Sequence, residues 1–151
     1  MTKSILIRGF AALVACALVL PVVGSLKNPV KRPFEATGIS AMNPDGTFLI
    51  VGTATHLGKF VFPGTYEITW AAPDFSKIVF HIQGTYTAAN GDTINIECKE
   101  WVFTADPPTS TGLVTILPGT GRFANASGSY VGTLSPAATP TLFTAEGTIT
   151  Y

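Results

Sequence analysis

The chain has 151 residues, the length of one domain of ordinary size. Nine basic residues balance nine acidic ones and only 12% of positions are charged, so there is no long-range field to attract nucleic acid or an anionic membrane surface. A basic stripe or patch is missing too, and no nucleic-acid partner is expected.

At the N-terminus, Lys3 and Arg8 form a short positive region. Gly9 to Val23 is almost wholly apolar, and Val22-Val23-Gly24-Ser25 follows. This is the tripartite form of a secretory signal, predicting a signal-peptide helix over residues 1–24 with cleavage near Gly24. The apolar run is about 15 residues, where a membrane span needs about 20, so cleavage leaves no stable membrane span. Leu13-Val14-Ala15-Cys16 has the form of a lipobox, and lipidation at Cys16 would tether the product to a membrane. The hydrophobic stretch continues well past Cys16, however, which favours a cysteine inside the signal and leaves a lipoprotein as the lesser reading. A secreted or periplasmic product is expected. It would keep one cysteine, Cys98, and so must fold without an intramolecular disulfide.

Residues 25–33 carry Pro29 and several basic residues and read as a lead-in tail, with residues 34–151 as the domain. The first predicted strand runs from Phe34 to Met42 and ends at the turn Asn43-Pro44-Asp45-Gly46. Thr47 to His56 and Lys59 to Ala71 follow, with Pro63-Gly64 suggesting a bulge or an edge position in the latter. Lys77 to Thr87 alternates plainly: Ile78, Phe80, Ile82 and Tyr86 take one side, and Val79, His81, Gln83 and Thr85 the other. Asn90-Gly91-Asp92 is a hairpin turn of the type that accepts positive φ at both central positions. Thr93 to Phe103 returns with Ile94, Ile96 and Cys98 on its apolar side, where Cys98 reads as a small buried hydrophobe. Asp106 to Ser110 reads as a loop. Gly112 to Leu117, Ser129 to Ser135 and Leu142 to Tyr151 complete about eight short strands.

Consecutive strands with no helix to cover a sheet face predict an all-β antiparallel meander that closes on itself. A barrel of about eight strands is just wide enough to be filled by side chains or to hold one small ligand.

Two segments carry a resemblance beyond this pattern. Gly52-Thr53-Ala54-Thr55-His56-Leu57-Gly58-Lys59-Phe60 resembles a motif of secreted bacterial barrels similar to the allene oxide cyclase and dirigent barrels of plants. Leu117-Pro118-Gly119-Thr120-Gly121-Arg122-Phe123 with the following Ala124 to Gly128 resembles the Gly-Thr-Gly-(Arg/Lys)-Phe segment of that calycin-type superfamily, and Glu146-Gly147-Thr148-Ile149-Thr150-Tyr151 its last strand. The resemblance covers roughly residues 34–151 and implies the barrel fold and a homo-trimer. It transfers no catalytic residue, because no local motif matches the polar residues that guide chemistry in those relatives. Physically, Gly119 and Gly121 permit a sharp turn, and Phe123 can plug one end of a barrel. Arg122 is then placed to bond loop carbonyls there, with ligand recognition as its alternative role.

The residues that could carry chemistry are few. The two histidines are His56, at a strand end, and His81, on the polar side of its strand. Neither belongs to a metal-ligand motif, and no metal site or cofactor is expected. Glu97 and Glu146 lie among Asn, Thr and Lys and read as outward-facing carboxylates; an acid–base pair would have to project into the lumen. No Ser stands in a G-x-S-x-G elbow. No catalytic residue is named, and Arg122, His81, Glu97 and Glu146 are the candidates for ligand contact. The expectation is an exported non-catalytic barrel that binds a small apolar ligand or serves a structural role. One alternative is a cyclase- or isomerase-like barrel acting on a hydrophobic substrate. Another is a small outer-membrane barrel, since Phe143, Ala145, Ile149 and the terminal Tyr151 share a strand face.

Overall fold

The structure, a computed structural model, describes residues 29–151. The expected signal peptide, Cys16 and most of the lead-in tail lie outside the described residues. Eight strands follow one another: β1 (Lys31–Met42), β2 (Thr47–Ala54), β3 (Gly58–Ala71), β4 (Lys77–Ala88), β5 (Thr93–Ala105), β6 (Pro108–Leu117), β7 (Ser127–Ser135) and β8 (Thr141–Thr150). A 3₁₀ turn, Gly121–Phe123, interrupts the connection from β6 to β7. Each strand pairs antiparallel with the next, and β1 also pairs with β8 along Lys31↔Thr150 to Ser40↔Thr141, which closes the barrel. Closure satisfies the backbone groups an open sheet would leave at its two edges. Among the described residues no helix is long and apolar enough to cross a membrane.

The alternating pattern explains the filling. Phe34, Ala36 and Ser40 of β1, Phe48 and Ile50 of β2, Phe60 and Phe62 of β3, and Ile94, Ile96 and Cys98 of β5 are all buried. Thr37, Thr53, Thr87 and Thr144, at the alternate positions, are exposed. Large rings lie over small partners: a Cβ on Gly132 would stand 2.7 Å from Cζ3 of Trp101, and one on Gly112 would stand 2.8 Å from Sγ of Cys98. A narrow barrel packs solidly in this way, bulky groups facing positions with no side chain.

Two hairpins use one device. Asn43 N–H donates to the Thr47 carbonyl and Gly46 N–H to the Asn43 carbonyl; Ala88, Gly91 and Asp92 repeat the arrangement between β4 and β5. Gly46 and Gly91 sit at φ +85 and +88, a left-handed conformation that costs glycine nothing. Only the glycine of Asn90-Gly91 takes positive φ, so the turn is a longer loop than the two-residue form expected from sequence.

Several boundaries differ from the sequence reading. Lys31, Arg32 and Pro33 belong to β1 rather than to the tail, because β8 extends far enough to pair with them. Pro63-Gly64 marks neither a bulge nor an edge: Pro63 faces Leu49 and Gly64 faces Phe48 in unbroken register. The irregularities fall instead between Ile68 and Trp70 of β3 and between Glu97 and Trp101 of β5, the latter also shifting the pairing with β4 between Phe80 and Ile82. The second has a consequence. One extra residue at Lys99-Glu100 flips the inward parity of β5, so Trp101 enters the lumen three positions after Cys98. β6 starts at Pro108, where a loop is expected to Ser110, because Ser110 faces inward and pairs with Phe103. Ile78, assigned to the apolar interior from its alternation, is only half-buried, since it lies beyond the filled part of the barrel at the start of β4.

Outside, Leu142, Ile39, Val51 and Val61 are exposed and stand opposite one another across β8, β1, β2 and β3, forming one apolar row.

Candidate functional site

The two ends of the barrel are built differently. At the lower end, which carries the β2–β3, β4–β5 and β6–β7 connections, the sharp turn around Gly121 (φ +58) drops Phe123 into the lumen. Phe123 is fully buried, with Tyr151 across it at 4.8 Å between ring centroids, and Leu57, Ala126 and Ile149 complete the plug. Arg122 lies on the outer side of the plug. Its guanidinium donates to the His56 carbonyl, its Nε stands 3.6 Å from Asp92 Oδ2, and its plane covers the Phe123 ring. The cation is thus occupied with loop groups, outside the lumen. His56 is turned away as well, its Nε2 lying 2.9 Å from the Pro33 carbonyl.

The middle of the barrel is aromatic. Phe62 stacks on Tyr86 at 4.0 Å, and Phe34 lies 5.1 Å from Tyr130. The two phenol oxygens are 2.9 Å apart, one donating to the other. Burial pushes both phenols up from their ordinary pKa, and burial also raises the Cys98 thiol. All three stay protonated at neutral pH, so among the described residues the interior holds no charged acid or base.

The upper end carries the β1–β2, β3–β4, β5–β6 and β7–β8 connections and, among the described residues, has no plug. A mouth of about 210 Å³ opens between Met42, Phe80, Phe103, Leu134 and Thr141. Beneath it a smaller cavity of about 30 Å³ reaches down towards Phe48, Ile96 and Tyr130. Met42, Ile82, Trp101 and Leu134 wall both spaces. The polar side chains at this end are sparse. Trp101 Nε1 donates to Ser110 Oγ at 2.8 Å, which satisfies a buried indole. Ser40 Oγ is buried and has no partner among the described residues. Ser40 and Ser110 escaped the sequence reading because short hydroxyl residues are read as solvent-facing. The signal that places Ser40 inward is the spacing Phe34, Ala36, Gly38, Ser40, an unbroken inward series along β1.

The other candidates lie on the outer wall. His81 sits between two carboxylates from neighbouring strands, with Nδ1 3.2 Å from Glu67 Oε1 and Nε2 3.0 Å from Glu97 Oε1. Only an imidazolium donates from both nitrogens. The hydrogen bond to Glu97, and then that to Glu67, raises the His81 pKa; His81 in turn lowers that of Glu97. Glu146 is exposed and stands directly opposite Glu35 across β1 and β8. The four residues singled out from sequence are therefore not brought together: Arg122 caps one end, His81 and Glu97 form an outer clamp, and Glu146 lies elsewhere on the wall. Among the described residues, no group of three His, Cys, Asp or Glu could hold a metal ion.

The fold and the site together define a closed, eight-stranded antiparallel barrel with a plugged lower end and an apolar upper mouth. Compared with protein-family models and with curated proteins, the chain matches none.

Proposed function

We propose that this protein is an exported, non-catalytic barrel that binds a small apolar molecule through its upper mouth. The observation that carries the reading is the difference between the two ends: one is sealed by Phe123, the other opens onto carbon-lined space. The mouth is smaller than the ~300 Å³ at which ligand pockets usually begin. It suits a compact molecule, or the end of a chain whose remainder stays outside. A cyclase or isomerase would need an acid or base beside that molecule, and the groups near it are hydroxyls that remain neutral. For an outer-membrane barrel, the stripe Phe143, Ala145 and Ile149 would have to face lipid, but it faces the lumen, while Glu35, Glu67 and Glu146 stand on the exterior.

Export rests on the N-terminal signal, with cleavage near Gly24 giving a secreted or periplasmic product. The likeness to secreted allene oxide cyclase-like and dirigent-like barrels supports a homo-trimer, and the row Leu142, Ile39, Val51, Val61 is the apolar surface it would cover. Native mass spectrometry of protein purified from its producer, followed by solvent extraction, tests the binding reading. An extractable apolar molecule lost on replacing Leu134 with Trp is expected. A protein that carries nothing and leaves Trp101 fluorescence unchanged with every apolar probe would refute it.

A further inference from the structure

The deep cavity contains one polar group that the fold does not use. Ser40 is the fourth inward position of β1, paired with Ile50 and Thr141, and only 8% of it is exposed. Its Oγ has no hydrogen-bond partner among the described residues. A buried hydroxyl without a partner destabilises a fold, and alanine would fill the same place without that penalty. A trapped water is a poor remedy: buried waters hold about three polar partners, and this cavity otherwise presents carbon. At the mouth Ser110 accepts from the Trp101 indole, whereas in the deep cavity Ser40 is a hydroxyl with no partner of either kind, placed to donate to an incoming molecule.

Resting on the ligand-binding reading above, we propose that Ser40 donates a hydrogen bond to an uncharged oxygen at the leading end of the ligand. The ligand class is then an aliphatic alcohol or carbonyl compound, inserted oxygen first. Among the described residues, no Lys, Arg or His lines the cavity or the mouth. A carboxylate entering there would lose its hydration with no counter-charge, so fatty acids in their ionised form are rejected. A plain hydrocarbon fills the mouth but leaves Ser40 as unsatisfied as before.

The chain has two tryptophans. Trp70 is 52% exposed, away from the cavity, so a Trp70→Phe background makes Trp101 the sole reporter. In that background, hexane, hexanol and hexanoate are titrated by fluorescence against protein with Ser40 and with Ser40→Ala. Hexanol is expected to bind about tenfold more weakly to Ser40→Ala, the loss of one hydrogen bond, about 1.4 kcal/mol. Hexane affinity should be unchanged or improved, and hexanoate should bind neither protein. Without ligand, Ser40→Ala should melt no lower than its parent. An equal loss for hexane and hexanol, no loss for hexanol, or a lower melting point would overturn the role of Ser40. If hexane and hexanol both fail to bind the parent, the binding reading itself is refuted instead.

Discussion

Replacing Gly132 with alanine sets two effects of opposite sign against each other. Alanine restricts the unfolded chain and suits a strand better than glycine, which favours the variant by about 0.5–1 kcal/mol. The new methyl group, however, would stand 2.7 Å from Cζ3 and 2.9 Å from Cη2 of Trp101. The indole is held in place, since Cε3 on the same edge lies over Gly112 and Nε1 on the opposite side is bonded to Ser110. Overpacking of this kind costs about 1–3 kcal/mol. Displacing the ring also breaks its bond to Ser110, worth about 1 kcal/mol. Packing wins, and Gly132→Ala should be destabilised by about 2 kcal/mol. With a urea slope near 1.5 kcal/mol/M, the unfolding midpoint falls by about 1 M. Trp101→Phe should relieve the clash, so the two substitutions combined cost less than their sum by about 1 kcal/mol. A more stable Gly132→Ala, or strict additivity with Trp101→Phe, would refute the packing described for the upper end.

Phe123→Ala removes a fully buried ring from the lower plug and should cost about 3–5 kcal/mol in chemical denaturation; a loss under about 1 kcal/mol would mean the end is not sealed by it. His81→Gln tests the outer clamp through pH. A raised histidine contributes fully below its unfolded pKa of 6.5 and loses that contribution as pH rises through its higher folded value. A lowered Glu97 contributes above 4.5 and loses it as pH falls through its lower folded value. Thermal melts should therefore show the largest deficit for the variant between about pH 4.5 and 6.5, and a deficit that grows towards pH 9 would contradict the clamp. Glu146→Lys turns the like-charge pair with Glu35 into an opposite-charge pair and should stabilise by about 0.2–1 kcal/mol, less so in high salt, as read from urea midpoints. Ile39→Glu places a charge in the outer apolar row; light scattering should report a smaller species than the parent, whereas an unchanged mass would count against assembly through that row.

Much of the barrel is legible in the sequence because strand alternation and turn chemistry are local. Ile94, Ile96 and Cys98 announce a buried face, and Asn43-Pro44-Asp45-Gly46 and Asn90-Gly91-Asp92 announce turns whose glycines do take positive φ. Phe123 falls where the turn around Gly121 sends it. What escapes is whatever depends on the neighbouring strand. The extra residue at Lys99-Glu100 has no glycine or proline to mark it, yet it decides that Trp101 enters the lumen. Proline is the opposite case: Pro63 signals a disruption that the register does not show, and Pro33 and Pro108 lie within strands. The site was legible only in part. Charged residues drew the eye to Arg122, His81, Glu97 and Glu146, while the open end is made of carbon and two serines. A closed sheet puts its charges outside, so the lumen has to be read from the inward positions alone.

Closure between the first and last strands is what the plugged end, the apolar mouth and Ser40 all require. Backbone NOEs in a deuterated sample measure it directly. Cross-strand contacts linking Glu35 to Glu146, Thr37 to Thr144 and Ile39 to Leu142 are predicted, with slowly exchanging amides along both strands. Rapid exchange on β1 and β8 with no contact between them would describe an open sheet with two free edges, and would contradict the barrel.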